Sequence, residues 1–214
     1  MIEARDLCYE YPDGGFQLQL PCWRVPPGSL ALVVGPSGSG KTTLLGLLAG
    51  ILPVTSGELR VGSEQLERTT DARRRTMRIS TVGQVFQDLE LVQYLTVREN
   101  ILLPYFINRQ FRLTAEAERR AERLAEQAQV ASQLDRPVDR LSRGEQQRVA
   151  IARALVNNPL IVWADGPTGN LDSDTSAEVM DLLVGLNQEQ QQTFVIVTHD
   201  PGVSSRAHRV IQIK

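Results

Sequence analysis

Leu30-Ala31-Leu32-Val33-Val34, Gly35-Pro36-Ser37-Gly38-Ser39-Gly40-Lys41-Thr42-Thr43 and Leu44-Leu45-Gly46-Leu47-Leu48 follow one another without a break. The first run is apolar and reads as a buried strand, the last opens an apolar helix, and the glycine-rich middle joins them. That order gives the loop its chemistry. Gly38 and Gly40 permit backbone angles and a close anion approach that a Cβ would obstruct, and the helix aims its N-terminal dipole at the same place. The pattern is that of backbone N–H groups wrapped around the phosphates of a nucleoside triphosphate, with Lys41 reaching the β- and γ-phosphates and Thr42 placed on a magnesium ion.

Working outward, residues 1 to 34 alternate β-type runs with the turn signals Pro12-Asp13-Gly14-Gly15 and Pro26-Pro27-Gly28. Downstream, Ala117, Ala121, Leu124, Ala125 and Ala128 share one face at helical spacing between Thr114 and Ala131, with Thr114 as cap and early glutamates at the positive end of the dipole. This helix belongs to a mostly helical insertion over residues 88–158. A run at Leu160–Ala164, a helix from Asp174 to Gln188 and a run at Phe194–Thr198 complete a strand, helix, strand order that implies parallel pairing. Arg73-Arg74-Arg75 with Arg78 reads as a solvated turn rather than a nucleic-acid patch.

Bulk properties bound the setting. The 214 residues are 42% hydrophobic, enough for one sizeable core. The net charge of −2 gives no global attraction to nucleic acid or anionic lipid, so any anion binding is local and no nucleic-acid partner is expected. Cys8 and Cys22 have no metal-like or redox-like spacing, which suits a reducing compartment. Met1–Asp6 does not open a signal peptide, and the most apolar stretch, Leu44 to Val54, is broken by Gly50 and Pro53 well short of the ~20 residues of a membrane helix. If the chain serves a membrane, another subunit provides the span.

A second motif narrows the class: Leu141-Ser142-Arg143-Gly144-Glu145-Gln146-Gln147-Arg148, then Val149-Ala150-Ile151-Ala152-Arg153-Ala154-Leu155. Ser142 and Glu145 alone form a capping box that would start any helix. With the phosphate loop, the whole run resembles the signature of ABC transporter ATPases, a resemblance whose elements recur in order over essentially the whole chain. It implies an α/β fold: a P-loop NTPase core with parallel sheet (residues 1–87 and 159–214), an N-terminal antiparallel β portion and the inserted helical subdomain at 88–158, all in one nucleotide-binding domain. It further implies ATP held by Gly35, Pro36, Ser37, Gly38, Ser39, Gly40, Lys41, Thr42 and Thr43, with Tyr11 stacked on adenine. Magnesium falls to Thr42, Gln87 and, through water, Asp165. His199 contacts the γ-phosphate, and Ser142, Arg143, Gly144 and Glu145 face the nucleotide of a second subunit. Asp172 lies in a loop that crosses the dimer interface, although it could simply cap the next helix.

Pro167–Asp172 and Thr96–Pro104 look most like the lipoprotein-release and macrolide-export branch. The implied partners are a second ATP-binding subunit and an integral-membrane permease, at the cytoplasmic face of the cell membrane. The chain departs from the pattern where catalysis concentrates. The family has glutamate after the magnesium-site aspartate, and here Asp165 is followed by Gly166. A positioned base contributes ~10²–10⁴-fold, about 2.7–5.4 kcal/mol of barrier, so slow hydrolysis is expected while nucleotide binding is spared. A laboratory change, a natural degenerate site beside a competent partner, and hydrolysis assisted by His199 and Gln87 alone all remain open. Arg143, where the family commonly has glycine, adds bulk and charge near the partner's nucleotide and could clash or bind phosphate.

Overall fold

The computed structural model describes residues 1–198 and 207–213. Strands β1 (Ile2–Glu10), β2 (Gln17–Val25), β4 (Ser56–Val61) and β5 (Glu64–Gln65) form an antiparallel sheet in the order β2-β1-β4-β5. Strands β3 (Leu30–Val34), β6 (Val82–Val85), β7 (Ile161–Asp165), β8 (Thr193–Val197) and β9 (Arg209–Gln212) form a second sheet in the order β6-β7-β8-β3-β9, every neighbouring pair parallel.

The central parallel strands β3, β7 and β8 are buried on both faces, as their unbroken apolar runs require, while the edge strand β9 is largely exposed. Leu30, Leu32, Val162, Ala164, Phe194 and Ile196 point into one core, and their neighbours Ala31, Val33, Ile161, Trp163, Val195 and Val197 point into the other. The second core packs the sheet against helix α1 (Lys41–Leu48), through Leu44, Leu45, Leu47 and Leu48, and against the antiparallel sheet. The first core continues without a break into the helices on the opposite side.

These helices are α3 (Val97–Ile107), α4 (Ala115–Gln127), α5 (Arg143–Leu155) and α6 (Ser173–Gln190). Their starts are fixed by side-chain caps that satisfy otherwise unpaired N–H groups. The Thr114 hydroxyl accepts from the Ala117 N–H at 3.2 Å. Thr96 with Glu99, and Ser142 with Glu145, form complete capping boxes. Asp172 caps α6 by accepting from the Thr175 N–H at 3.0 Å.

One expectation fails. The arginine run is not a turn but part of helix α2 (Asp71–Thr81), capped by Thr70. Its charges are paired rather than merely solvated: Arg73 bridges to Glu64 at 2.6 Å, Arg74 donates to the Thr69 carbonyl and Arg78 to the Gly50 carbonyl, while Met77 buries the inner face. No helix among the described residues is long and apolar enough to cross a membrane.

Candidate functional site

β3 delivers the chain into the glycine loop and α1 leaves it, so residues 35–43 form one end of a cleft of about 660 Å³, within the size range of small-molecule sites. Gly38 and Gly40 have φ of 80° and 93°, the left-handed region that only glycine enters without strain. Gly40 is doubly required, since a Cβ there would collide with the Phe16 ring. The Lys41 ammonium folds back over the loop and donates to the carbonyls of Gly35 at 2.9 Å and Pro36 at 2.6 Å. Ser39 Oγ is buried without a partner in the same loop, and Ser39 is the one residue of 35–43 that does not line the cleft.

The opposite wall comes from two strands along, at the same C-terminal end of the sheet. Asp165 ends β7 where the strand emerges from the core, and its Oδ2 accepts from the Thr42 hydroxyl at 3.1 Å. A carboxylate and a hydroxyl converging beside a phosphate-type loop are the hard oxygen ligands that suit magnesium, so the residues present fit that ion. Gln87 follows β6 and lines the cleft with Gly166. Tyr11 stands at the rim, half in solvent, its hydroxyl 3.2 Å from Thr43 Oγ1 and its ring edge-on to Tyr9 at 5.1 Å.

Gly166 sits at φ 53°. Its N–H donates to the Val197 carbonyl and its own carbonyl accepts from the Gly169 N–H, both at 3.0 Å, so the local backbone is fixed on either side. A Cβ at this position would have room, its nearest neighbour being the Gln87 amide oxygen at 3.7 Å.

The residues singled out in the sequence thus separate into two groups. Tyr11, Gly35, Pro36, Ser37, Gly38, Gly40, Lys41, Thr42, Thr43, Gln87, Asp165 and Gly166 line the cleft. Ser142, Arg143, Gly144, Glu145 and Asp172 do not, and gather instead at the adjoining starts of α5 and α6. There Gly144 packs so tightly that a Cβ would come within 2.6 Å of Thr175 Cγ2. The Glu145 carboxylate accepts from the Ser142 N–H and hydroxyl, each at 2.8 Å, and these bonds hold it below the usual carboxylate range. Asp172 is likewise lowered, by the Thr175 N–H and hydroxyl. The two groups are joined where the Arg143 guanidinium donates to the Gln87 carbonyl at 3.4 Å. His199 lies outside the described residues.

Sequence reasoning missed Phe16, which lines the cleft and packs on Gly40. The only local signal was an aromatic immediately after the Gly14-Gly15 turn.

Comparison with known proteins agrees with this geometry. Residues 19–169 match the family model described as ABC transporter. The chain is 37% identical over 218 residues to the lipoprotein-releasing system ATP-binding protein LolD of Xanthomonas oryzae pv. oryzae, covering 100% of this chain and 88% of the relative. It is also 37% identical over 219 residues to the macrolide export ATP-binding/permease protein MacB of Syntrophobacter fumaroxidans, but spans only 30% of that longer protein. Among solved structures, the dimeric post-hydrolysis state of the ATP-binding cassette MJ0796, bound to ADP and Pi, superposes with a TM-score of 0.86 at 34% identity, covering 100% of this chain and 94% of that one.

Proposed function

Because the chain belongs to the ABC transporter family and is similar to its LolD and MacB type, we propose that it is the ATP-binding subunit of such a transporter. Two subunits close on Mg-ATP and pass that closure to a separate membrane permease, from a peripheral position on the cytoplasmic side. The observation that carries this reading is the convergence of Thr42 and Asp165, 3.1 Å apart, beside the loop that Lys41 already engages. A nucleotide entering the cleft would take the Lys41 ammonium away from the Gly35 and Pro36 carbonyls, exchanging two neutral acceptors for charged phosphate oxygens, which make the stronger bond. Thr42 and Asp165 would hold magnesium, which neutralises charge on the β- and γ-phosphoryl oxygens when bound. Tyr11, at the rim, is placed to turn onto adenine.

The second half of each site comes from a second copy or a homologous chain. Ser142–Glu145 lie away from the cleft of their own subunit, and the start of a helix offers unpaired N–H groups to a phosphate. The dimeric state of MJ0796 with ADP and Pi supports the same arrangement here. Asp172 then has both of its expected roles at once, capping α6 while lying in the interface loop.

A second reading is favoured by Gly166. Nothing at that position can polarise an attacking water, so the subunit would serve as a switch in which ATP closes the pair and hydrolysis is slow. Sedimentation of the purified chain with and without Mg-ATP, followed by an ATPase assay on the complex with its native permease, tests both. ATP-dependent dimerisation with slow turnover supports the switch, and dimerisation with rapid turnover in the complex supports a driven transporter. A chain that neither binds Mg-ATP nor dimerises sinks both.

A further inference from the structure

The loop after β6 carries Gln87 and then takes an unusual path. Leu89 and Glu90 adopt φ of 64° and 51°, two consecutive non-glycine residues in the left-handed region. L-residues leave that region unless their surroundings hold them there. The holding group is Arg153 on α5. Its guanidinium is only 8% exposed and donates from Nη2 to the Leu89 carbonyl at 2.6 Å and from Nη1 to the Glu90 carbonyl. Burial lowers its affinity for a proton, but an arginine has ample reserve and stays charged. A buried cation spent on two main-chain carbonyls fits a planar fork, and fits no other side chain as well. The loop is fixed again further on, where the Asn100 amide accepts from the Val92 N–H at 2.9 Å and donates to the Val92 carbonyl at 3.0 Å.

Ten residues before Arg153, on the same helix, Arg143 donates to the Gln87 carbonyl at 3.4 Å. We propose that α5 grips the Gln87 loop at both places, Arg143 on residue 87 and Arg153 on residues 89 and 90, so that Ser142–Glu145 and Gln87 move as one body. Arg153 is thus a positioning residue, and Arg143 adds that role to its place at the start of α5: neither lines the cleft of its own subunit, and each helps to set the place of Gln87. The grip itself stands on geometry alone, while its consequence for magnesium rests on the proposed role of Gln87. Arg143 in place of the usual glycine adds the second point of attachment, tying the start of α5 directly to the cleft wall that Gly166 has left without a carboxylate.

Hydrogen–deuterium exchange of the full chain, paired with magnesium titrations of ATP binding, tests this. Arg153→Lys keeps the charge but not the fork. It should speed exchange across residues 88–92 by roughly 10–150-fold, the range for losing one hydrogen bond to a charged group, and raise the half-saturating magnesium concentration, while α4 exchanges as before. Arg143→Gly should act on the same peptides by a smaller factor. Gln87→Ala should shift the magnesium dependence without loosening residues 88–92. Wild-type exchange through the loop in both arginine variants would overturn the proposal, as would a uniform rise across the chain in Arg143→Gly. If Arg153→Lys fails to fold, the surface variant Arg143→Gly decides alone. If the wild-type chain does not bind Mg-ATP, the proposed function falls, and the exchange data still judge the grip.

Discussion

A carboxylate restored at position 166 bears directly on how this subunit spends ATP. In Gly166→Glu the new Cβ meets nothing closer than the Gln87 amide oxygen at 3.7 Å, so the side chain has room to start into the cleft. The obstacle is the backbone. Gly166 holds φ 53°, pinned by hydrogen bonds to Val197 and Gly169, and an L-residue there costs roughly 1–2 kcal/mol. For a chain of this size, each kcal/mol lowers Tm by about 2–4 °C. Against that stands the contribution of a positioned base, ~10²–10⁴-fold or about 2.7–5.4 kcal/mol of barrier. Strain falls on folding stability and the base term on the reaction barrier, so the variant should hydrolyse ATP ~10²–10⁴-fold faster than the Gly166 chain while melting a few degrees lower. Gly166→Ala isolates the strain: the same fall in Tm, with no gain in rate. Steady-state phosphate release and calorimetric melting measure both quantities. A wild-type chain that already turns over quickly, with no gain in Gly166→Glu, would refute the reasoning and leave hydrolysis to other groups.

Two further substitutions probe other layers of the structure. Thr42→Val removes the hydroxyl that meets Asp165, so ATP binding should lose its dependence on magnesium while binding in EDTA persists; unchanged magnesium dependence by calorimetry would place the ion elsewhere. Thr114→Ala deletes the cap of α4, far from the cleft, and should cost about 1 kcal/mol, seen as a Tm lower by about 2–4 °C with ATP affinity unchanged.

How far the sequence could be read depends on how local each interaction is. The glycine loop was legible because its strand, turn and helix are contiguous, and each neighbour restricts the others. Asp165 was legible because it ends an apolar run, and the caps at Thr114 and Ser142 because a cap and its acceptor lie three residues apart. The arginine run misled because charge was weighed and period was not: Arg74, Met77 and Arg78 recur at helical spacing and face inward. The strand order β6-β7-β8-β3-β9, the Phe16 ring against Gly40 and the Arg153 fork on Leu89 and Glu90 join residues far apart in sequence. No spacing rule encodes such contacts, since they exist only once the sheet has brought the segments together.

At the start of α5, one residue serves folding and, if the proposed half-site is right, opposes binding. Glu145 closes the capping box from the solvent side, taking both the N–H and the hydroxyl of Ser142. Its negative charge suits the helix dipole, and its lowered affinity for a proton makes that gain depend on pH. A carboxylate lowered in the folded state contributes above its unfolded value, about 4.3, and loses the contribution as pH falls through the folded one. Those same two donors are what a phosphate from a second subunit would use. Glutamine also completes a capping box, so Glu145→Gln keeps the helix start while removing the charge that faces the incoming anion. The variant should flatten the acid limb of the stability profile and strengthen Mg-ATP-dependent dimerisation at neutral pH, measured by denaturant melts against pH and by sedimentation. Weaker dimerisation with the cap intact would show that the Glu145 carboxylate helps to build the closed interface, and would remove Ser142 from the phosphate's path.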